Sequence, residues 1–392
     1  MDSIFATLTL KQANAMLWIA IRMLTGDRTK FYGLVFGIAF STLLITQQLT
    51  IFVNLIERGA SGVYNNASGD VYVMDPVSRT SDVIFPLPST ALDQVRSVAG
   101  VAWAVPQLRA NAAVRTQLGD LEQVAVIGVD DATLIGLPER MLIGTSDVLS
   151  IPDTVIIDDV GADRMFGAID PIDQRLELND QRAVIRGMAD VIPSFTSTAV
   201  LYTTYSQALR YVPGTRNRTS LVIVGSAGDV APQELAARIE RQTGLKARTR
   251  DEFAQDGIDF IIENTGIPFN FGITVALGFI VGVAIVGLTF SLFIRDNIRQ
   301  LGALKAIGVT NAKIGRMVAV QAGMVGGIGY GLGIIGTVLF IWGFSSNSTF
   351  KGFYIPWQIP LISLVSMALI LTFTAWLALR SVMRTEPAAV FR

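Results

Sequence analysis

Chemistry in this sequence is restricted to carboxylates, hydroxyls, amides and cations, because the chain contains neither histidine nor cysteine. Imidazole bases, thiolate nucleophiles, disulfides and His- or Cys-ligated metal sites are thereby excluded. The adjacent acids Asp130-Asp131 and Asp158-Asp159 come nearest to a carboxylate site. Both pairs end short β-like runs, EQVAVIGVD and DTVIIDDV, where neighbouring side chains point to opposite faces of a strand. Solvated strand ends and turns account for them better than an acid/base pair or a metal site. No Gly-x-x-x-x-Gly-Lys-Ser/Thr occurs and no lysine follows a glycine, so the chain carries no phosphate-binding P-loop. The expectation is a non-enzyme with no catalytic residue, metal or cofactor of its own, and no nucleic-acid partner.

What remains is a cationic stretch. Arg295 to Met317 reads RDNIRQLGALKAIGVTNAKIGRM and sets Arg295, Arg299, Lys305, Lys313 and Arg316 against the single acid Asp296. Ile294, Ile298, Leu301 and Leu304 fall on one helical stripe that can lie in a protein groove or on a membrane face, while Arg295 and Arg299 project elsewhere. Gly302 allows close backbone approach, and Gly308 ahead of Val309-Thr310-Asn311 predicts a helix end with a new N-cap at Thr310 or Asn311. A cationic helix resting on anionic membrane lipid would carry the same pattern.

The elements that must hold this stretch are membrane spans. Hydrophobic residues make up 51% of the chain against 16% charged, and 36 glycines suit closely packed membrane helices. Residues 31–56, 269–294, 318–344 and 355–379 are four uncharged runs. At about 1.5 Å per residue, each can cross a hydrocarbon core of about 30 Å. With no ionisable group inside them, an ion-coupled transporter is not expected. Gly278 with Gly282, and Gly323, Gly327 and Gly331 at four-residue spacing, backed by Gly329 and Gly333, predict helix-packing ridges. Ahead of the first run, Leu10, Ala13, Leu17, Ile21 and Leu24 fall at helical spacing. They predict an interfacial helix over 1–30 in place of a cleaved signal peptide.

Charge fixes the expected orientation. Outside residues 57–268 there are 13 basic residues, and placing the N-terminus inside leaves 12 of them on the inner side, with Lys351 alone on the outer loop 345–354. The positive-inside rule then predicts N-in and C-in, with the linker 295–317 and the tail 380–392 cytoplasmic and residues 57–268 outside.

Residues 57–268 differ in kind, with many prolines, glycines and acids and short β-like runs. GDVYVMD, STALDQVRSVAG and VAWAVPQL, from Gly69 to Leu108, read strand, helix, strand; TSLVIVGS, APQELAARIERQTG and LKARTRDEF, from Thr219 to Phe253, repeat that order. Ser89 and Asp229 are the expected N-caps, and Gly100 and Gly244 the expected C′ glycines. Two βαβ halves, 57–108 and 216–268, predict a split ferredoxin-like α+β module with a β-rich insertion over 109–215.

Order and topology together resemble the MacB/FtsX class of ABC transporter permeases. The linker QLGALKAIGVTNAKIGRM is similar to that class's E-x-G-x-x-x-A-x-G-A followed by a basic helix, through Gln300, Gly302, Ala306 and Gly308. Gln300 stands where the class has Glu, which removes the charge from that position. Within the class, Ala303-Leu-Lys-Ala-Ile-Gly308, the end Glu386-Pro-Ala-Ala-Val-Phe391 and the segment TRDEFAQDGIDFIIENTGIPFNFG resemble the DevC-like exporter branch.

The resemblance implies an α-helical membrane protein with four transmembrane helices and a large extracytoplasmic α+β domain, a porter-like pair of βαβ halves with a β-rich insertion, in a bacterial inner membrane. It implies a dimer of permeases bound to two cytoplasmic ATPase subunits that hold ATP and Mg. The coupling set would be Arg295, Ile298, Arg299, Gln300, Leu301, Gly302, Leu304, Lys305, Ala306 and Gly308. Mechanotransmission to the periplasm, a HlyD/MacA-like adaptor and a TolC-like outer-membrane channel follow from the same likeness. FtsX-like signalling to a cell-wall hydrolase and LolC/LolE-like lipoprotein extraction share the topology.

Overall fold

The computed structural model describes residues 18, 20–66, 68–81, 83–116, 119–195, 198–215, 217–345 and 350–383. The chain divides into two compact units. One, the membrane unit, comprises residues 1–52, 268–344 and 353–392; the other, the outer unit, comprises 53–267 together with 345–352.

Four helices long and apolar enough to cross a membrane occur among the described residues. They are Arg28–Glu57, Ile267–Asp296, Asn311–Phe344 and Gln358–Met383, here spans 1 to 4. In hydrocarbon a helix is the form in which such a segment satisfies its own backbone. The membrane unit's core joins Leu34 and Ile38 of span 1, Phe290 and Phe293 of span 2, Ile314 and Val325 of span 3 and Ile370 of span 4. Ser41 donates to the Gly278 carbonyl at 2.9 Å. A Cβ on Gly282 would lie 2.5 Å from Ser41 Oγ, so the Gly278/Gly282 ridge lies against span 1.

Span 3 faces the chain's own helices with the backing glycines Gly329 and Gly333, joined by Gly326, and not with the four-residue row. Gly323, Gly327 and Gly331 have nothing within 4 Å of an added Cβ, whereas Gly326, Gly329 and Gly333 would strike Leu371, Ile38 and Thr42 at 2.4, 2.7 and 2.6 Å. Both rows suit close packing, and spacing alone does not say which faces the chain's own helices. Of the expected N-terminal helix, Leu10, Ala13 and Leu17 lie outside the described residues. Leu24 is buried in the bundle, and Gln321 Nε2 donates to the Ala20 carbonyl at 2.8 Å.

In chain order the outer unit contains β1 (Val71–Met74), β2 (Leu87–Pro88), α1 (Thr90–Arg96), β3 (Val101–Thr116), β4 (Leu121–Val129), β5 (Met141–Ile143), β6 (Thr154–Asp158), α2 (Asp159–Phe166), β7 (Arg175–Leu178), β8 (Gln181–Ala189), β9 (Ala199–Thr204), α3 (Tyr205–Tyr211), β10 (Arg218–Thr219), β11 (Leu221–Ser226), α4 (Pro232–Thr243), β12 (Lys246–Thr249) and α5 (Arg250–Asn264). Strands β12-β1-β11-β3 are neighbours in that order, and each adjacent pair is antiparallel. This is the order two interleaved βαβ units produce, and it realises the ferredoxin-like module. Val95 of α1 and Leu235 and Ile239 of α4 pack on Val71, Val73 and Val224.

The insertion is not a separate sheet. Residues 101–107 of β3 pair with β11, and residues 108–115 pair with β4, so one 16-residue strand carries the sheet across the expected 108/109 boundary. Beyond it the order is β4-β9-β6-β8-β5, with parallel pairing at β4/β9 and β6/β8. A parallel pair needs a crossover, which α2 helps to make between β6 and β8, and α3 follows β9; both helices sit within the region expected to be β-rich and pack Phe166 and Tyr211 into its core.

Local start and stop signals correct two sequence expectations. Helix α4 starts at Pro232 with Ala231 as N-cap, and Asp229 lies outside it, because proline at the first helical position sets the start. Helix α1 ends at Arg96 with Ser97 as C-cap, so Gly100 (φ +100°) belongs to the turn before β3. Gly244 is the left-handed residue that ends α4, as its spacing predicts.

The exit of span 1 crosses α5 at two glycines. A Cβ on Gly257 would sit 2.2 Å from the Gly59 carbonyl oxygen, and one on Gly59 would sit 2.6 Å from the Gly257 carbonyl. Both obstacles are backbone, which cannot swing aside. Gly257→Val is expected to cost about 3 kcal/mol or more, read as a lowered unfolding midpoint of the outer unit. Gly228→Ala, in open space, is the matched control.

Candidate functional site

The cationic linker forms an elbow. Span 2 ends at Asp296, Asn297 turns the chain with its side chain donating to the Phe293 carbonyl at 2.8 Å, and a short helix, Ile298–Ala306, follows. That helix ends in a Schellman arrangement. Gly308 N–H donates to the Lys305 carbonyl at 3.1 Å, Val309 N–H donates to the Leu304 carbonyl at 3.0 Å, and Gly308 has φ +97°. Thr310 then accepts from Lys313 and Ile314 N–H at 3.0 and 3.1 Å, and span 3 begins at Asn311. The start at Thr310/Asn311 is therefore where the sequence places it. Lys313 and Arg316 belong to the first turns of span 3, not to a separate helix.

Both ends of the elbow are fixed to the bundle. Phe293 and Ile294 enter the membrane unit's core on one side, and Ile314 enters it on the other with Val309 packed against it. Lys30 pairs with Asp27 at 2.6 Å and with Asp296, joining the start of span 1 to the end of span 2.

Between these anchors, Arg295, Arg299, Gln300 and Gly308 are exposed, while Ile298, Gly302, Leu304 and Lys305 are half-buried. Leu301 and Ala306 lie within the helix. The stripe reading thus divides: Leu304 supplies the carbonyl of the helix stop, and among the described side chains of the linker the large apolar one turned outward is Ile307, 82% exposed. Helical spacing does not mark Ile307, because it is the C-cap and off the stripe. Its position immediately before the helix-ending glycine is the signal that identifies it.

In the outer unit Asp130-Asp131 sits in an exposed turn after β4, as the sequence reading expects, whereas Asp158-Asp159 is built into the fold. Asp130 accepts from Thr133 N–H and Oγ1 at 2.9 and 2.8 Å, closing a turn, and Asp131 accepts from Ser206 N–H at 3.0 Å, at the start of α3. Asp158 is 1% exposed. It ends β6 and caps α2, with Oδ2 accepting from Gly161 N–H at 2.9 Å and Oδ1 from Val200 N–H at 2.6 Å. Burial pushes its pKa up to about 6 against those two N–H groups and the nearby Lys351 charge. A strand-to-helix junction explains why the pair does not alternate faces as two strand residues would.

Lys351, notable in the sequence only as the one cation of the outer loop, pairs with Asp159 and lies 3.5 Å from Asp190. Burial pulls the Lys351 pKa down while the Asp158 charge holds it up. Elsewhere a polar cavity of about 380 Å³ is lined by Ser61, Asn65, Arg109, Asn111 and Tyr202, with Arg109 Nε donating to Gln107 Oε1 at 2.9 Å. No group of three or more acidic side chains that could hold a metal ion occurs among the described residues.

Four spans, an elbow anchored at both ends with its tip exposed, and a large α+β outer unit define a membrane permease subunit. Residues 32–242 match the MacB-like periplasmic core domain and residues 272–387 match the FtsX-like permease C-terminal region, the first alone covering more than half of the chain. The chain belongs to the MacB/FtsX family of ABC transporter permeases. Membership implies an ABC ATPase partner and an inner-membrane protein with a periplasmic domain. Among solved structures, the periplasmic region of MacB from Actinobacillus actinomycetemcomitans is similar at 17% identity over 51% of this chain and 95% of that one, with a TM-score of 0.36. The extracellular domain of the noncanonic ABC-type transporter YknZ from Gram-positive bacteria is similar at 17% identity over 46% and 98%, with a TM-score of 0.32. No curated protein matches the chain.

Proposed function

We propose that this chain is the permease subunit of an ATP-driven exporter of the DevC-like kind, working by mechanotransmission. A separate ATPase pair binds ATP and Mg in the cytoplasm and closes on the elbow. The spans of a permease homodimer relay the movement to the periplasmic units, which drive cargo through a HlyD/MacA-like adaptor and a TolC-like channel. Both termini lie in the cytoplasm, and the chain contributes no catalytic group. The observation that carries this reading is the elbow: Ile307 is exposed, Arg295, Arg299 and Gln300 on the same linker are exposed too, and the backbone is fixed at both ends to the bundle. An exposed apolar anchor on a cationic linker suits a protein groove.

Crosslinking in the native membrane followed by affinity purification of the full chain tests it. Recovery of an ABC ATPase with an adaptor and an outer-membrane channel is expected. An ATPase recovered with a cell-wall hydrolase would shift the reading to FtsX-like signalling, and one recovered with a lipoprotein on the outer unit would shift it to LolC/LolE-like extraction. Absence of any ATPase would overturn it.

A further inference from the structure

The loop between spans 3 and 4 belongs to the outer unit, although the chain on either side of it belongs to the membrane unit. Its Lys351 reaches the β-rich insertion at two places, Asp159 on the first residue of α2 and Asp190 just beyond β8. Asp159 is only 14% exposed, so this pair is shielded from water and salt more than a surface ion pair. Arg140 holds the other oxygen of Asp190 at 3.1 Å, which leaves that carboxylate shared between two cations.

Span 1 is tied to the same place. Arg58, buried in the turn that follows span 1, donates to the Lys351 carbonyl at 3.2 Å. Seven residues on, Asn65 exchanges two hydrogen bonds of 2.8 Å with the backbone N–H and C=O of Ile192, two residues past Asp190. The exit of span 1, the loop joining spans 3 and 4, and the insertion therefore meet at one cluster of charges and backbone groups. Asp158 locks α2 to β9 beneath it through Val200.

We infer that Lys351, with Arg58 and Asn65, forms a clasp through which movement of spans 1, 3 and 4 enters the β-rich insertion at the N-terminus of α2. This rests on the mechanotransmission reading above and names the place where it acts. Lys351 is a positioning residue. The clasp must stay closed to transmit, so opening it should uncouple the outer unit without touching the ATPase or the elbow.

The cysteine-free chain permits a direct test. In Lys351→Cys/Asp159→Cys, bound to its ATPase, hydrogen exchange of residues 154–204 is compared with and without MgATP and vanadate. Reduced thiols should cut the ATP-dependent change in exchange at least tenfold while ATP hydrolysis continues, and a short bismaleimide bridge between them should restore it. Because one protein serves as both states, misfolding cannot imitate that result. An unchanged response in the reduced form, failure of the bridge to restore it, or a parallel loss of hydrolysis would overturn the clasp alone. No ATP-dependent change in the unsubstituted complex would overturn the mechanotransmission reading together with it. The charge exchange Lys351→Asp/Asp159→Lys should retain more of the response than Lys351→Asp.

Discussion

Replacing Ile307 by aspartate is expected to weaken ATPase binding at least ~100-fold, with the permease still inserted and folded. Burying one isoleucine side chain in a partner groove is worth about 1.5–3 kcal/mol, which is roughly a 10- to 100-fold change in affinity. A carboxylate forced into the same groove adds its own desolvation cost. Because Ile307 is 82% exposed in the chain, the substitution removes no contact from the bundle core. Titration of the purified ATPase against the permease in nanodiscs measures the effect.

Leu304→Glu should behave differently. Leu304 is half-buried and provides the carbonyl that accepts Val309 N–H, so its replacement should disturb the elbow's shape and lower thermal stability as well as binding. Arg299→Ala should change the association rate and its salt dependence more than the dissociation rate, as expected for a rim charge. If Ile307→Asp bound the ATPase normally but lost affinity for anionic vesicles, the elbow would be a lipid anchor instead.

The second large effect is expected at Asp158. Asp158→Ala removes the cap of α2 and leaves two buried N–H groups, those of Gly161 and Val200, without their acceptor. The outer unit should lose about 3 kcal/mol or more. The pH dependence has a definite sign. The folded-state pKa of about 6 lies above the ordinary 3.8. The contribution is therefore fully present below pH 3.8 and is lost as the pH rises through 6. Its size is on the order of 3 kcal/mol. In Asp158→Asn that step is absent, so the difference between the two unfolding curves should change between pH 4 and pH 6.5 and be flat outside. A difference that stayed constant across the range would show that Asp158 does not titrate there.

The sequence shows the architecture clearly where periodicity and turn chemistry are local. The four spans, the two βαβ halves, the Gly244 stop and the Gly308 stop are each set by residues within a few positions of one another. What it does not show depends on which surfaces meet. Gly323/Gly327/Gly331 and Gly326/Gly329/Gly333 are equally good ridges until Leu371, Ile38 and Thr42 are brought against one of them. The run DTVIIDDV hides a strand-to-helix junction, because Asp158 becomes a cap only through Gly161 and Val200, the latter 42 residues away. At the elbow, the apolar stripe identifies a helix face, but Ile307, the outward one among the described large apolar side chains, is a residue the stripe omits. Lys351 carried only an orientation argument, since its carboxylate partners are more than 160 positions distant.

The most direct test of energy entering at the elbow and emerging in the outer unit is a spin-label distance. Leu121→Cys in the outer unit and Trp357→Cys at the start of span 4 give two exposed sites in a chain with no other cysteine. Pulsed electron resonance on the ATPase-bound complex should show a shifted distance distribution on trapping with MgATP and vanadate, and no shift when Ile307→Asp is added. The same shift in the Ile307→Asp protein, or none in the parent complex while it hydrolyses ATP, would contradict the account.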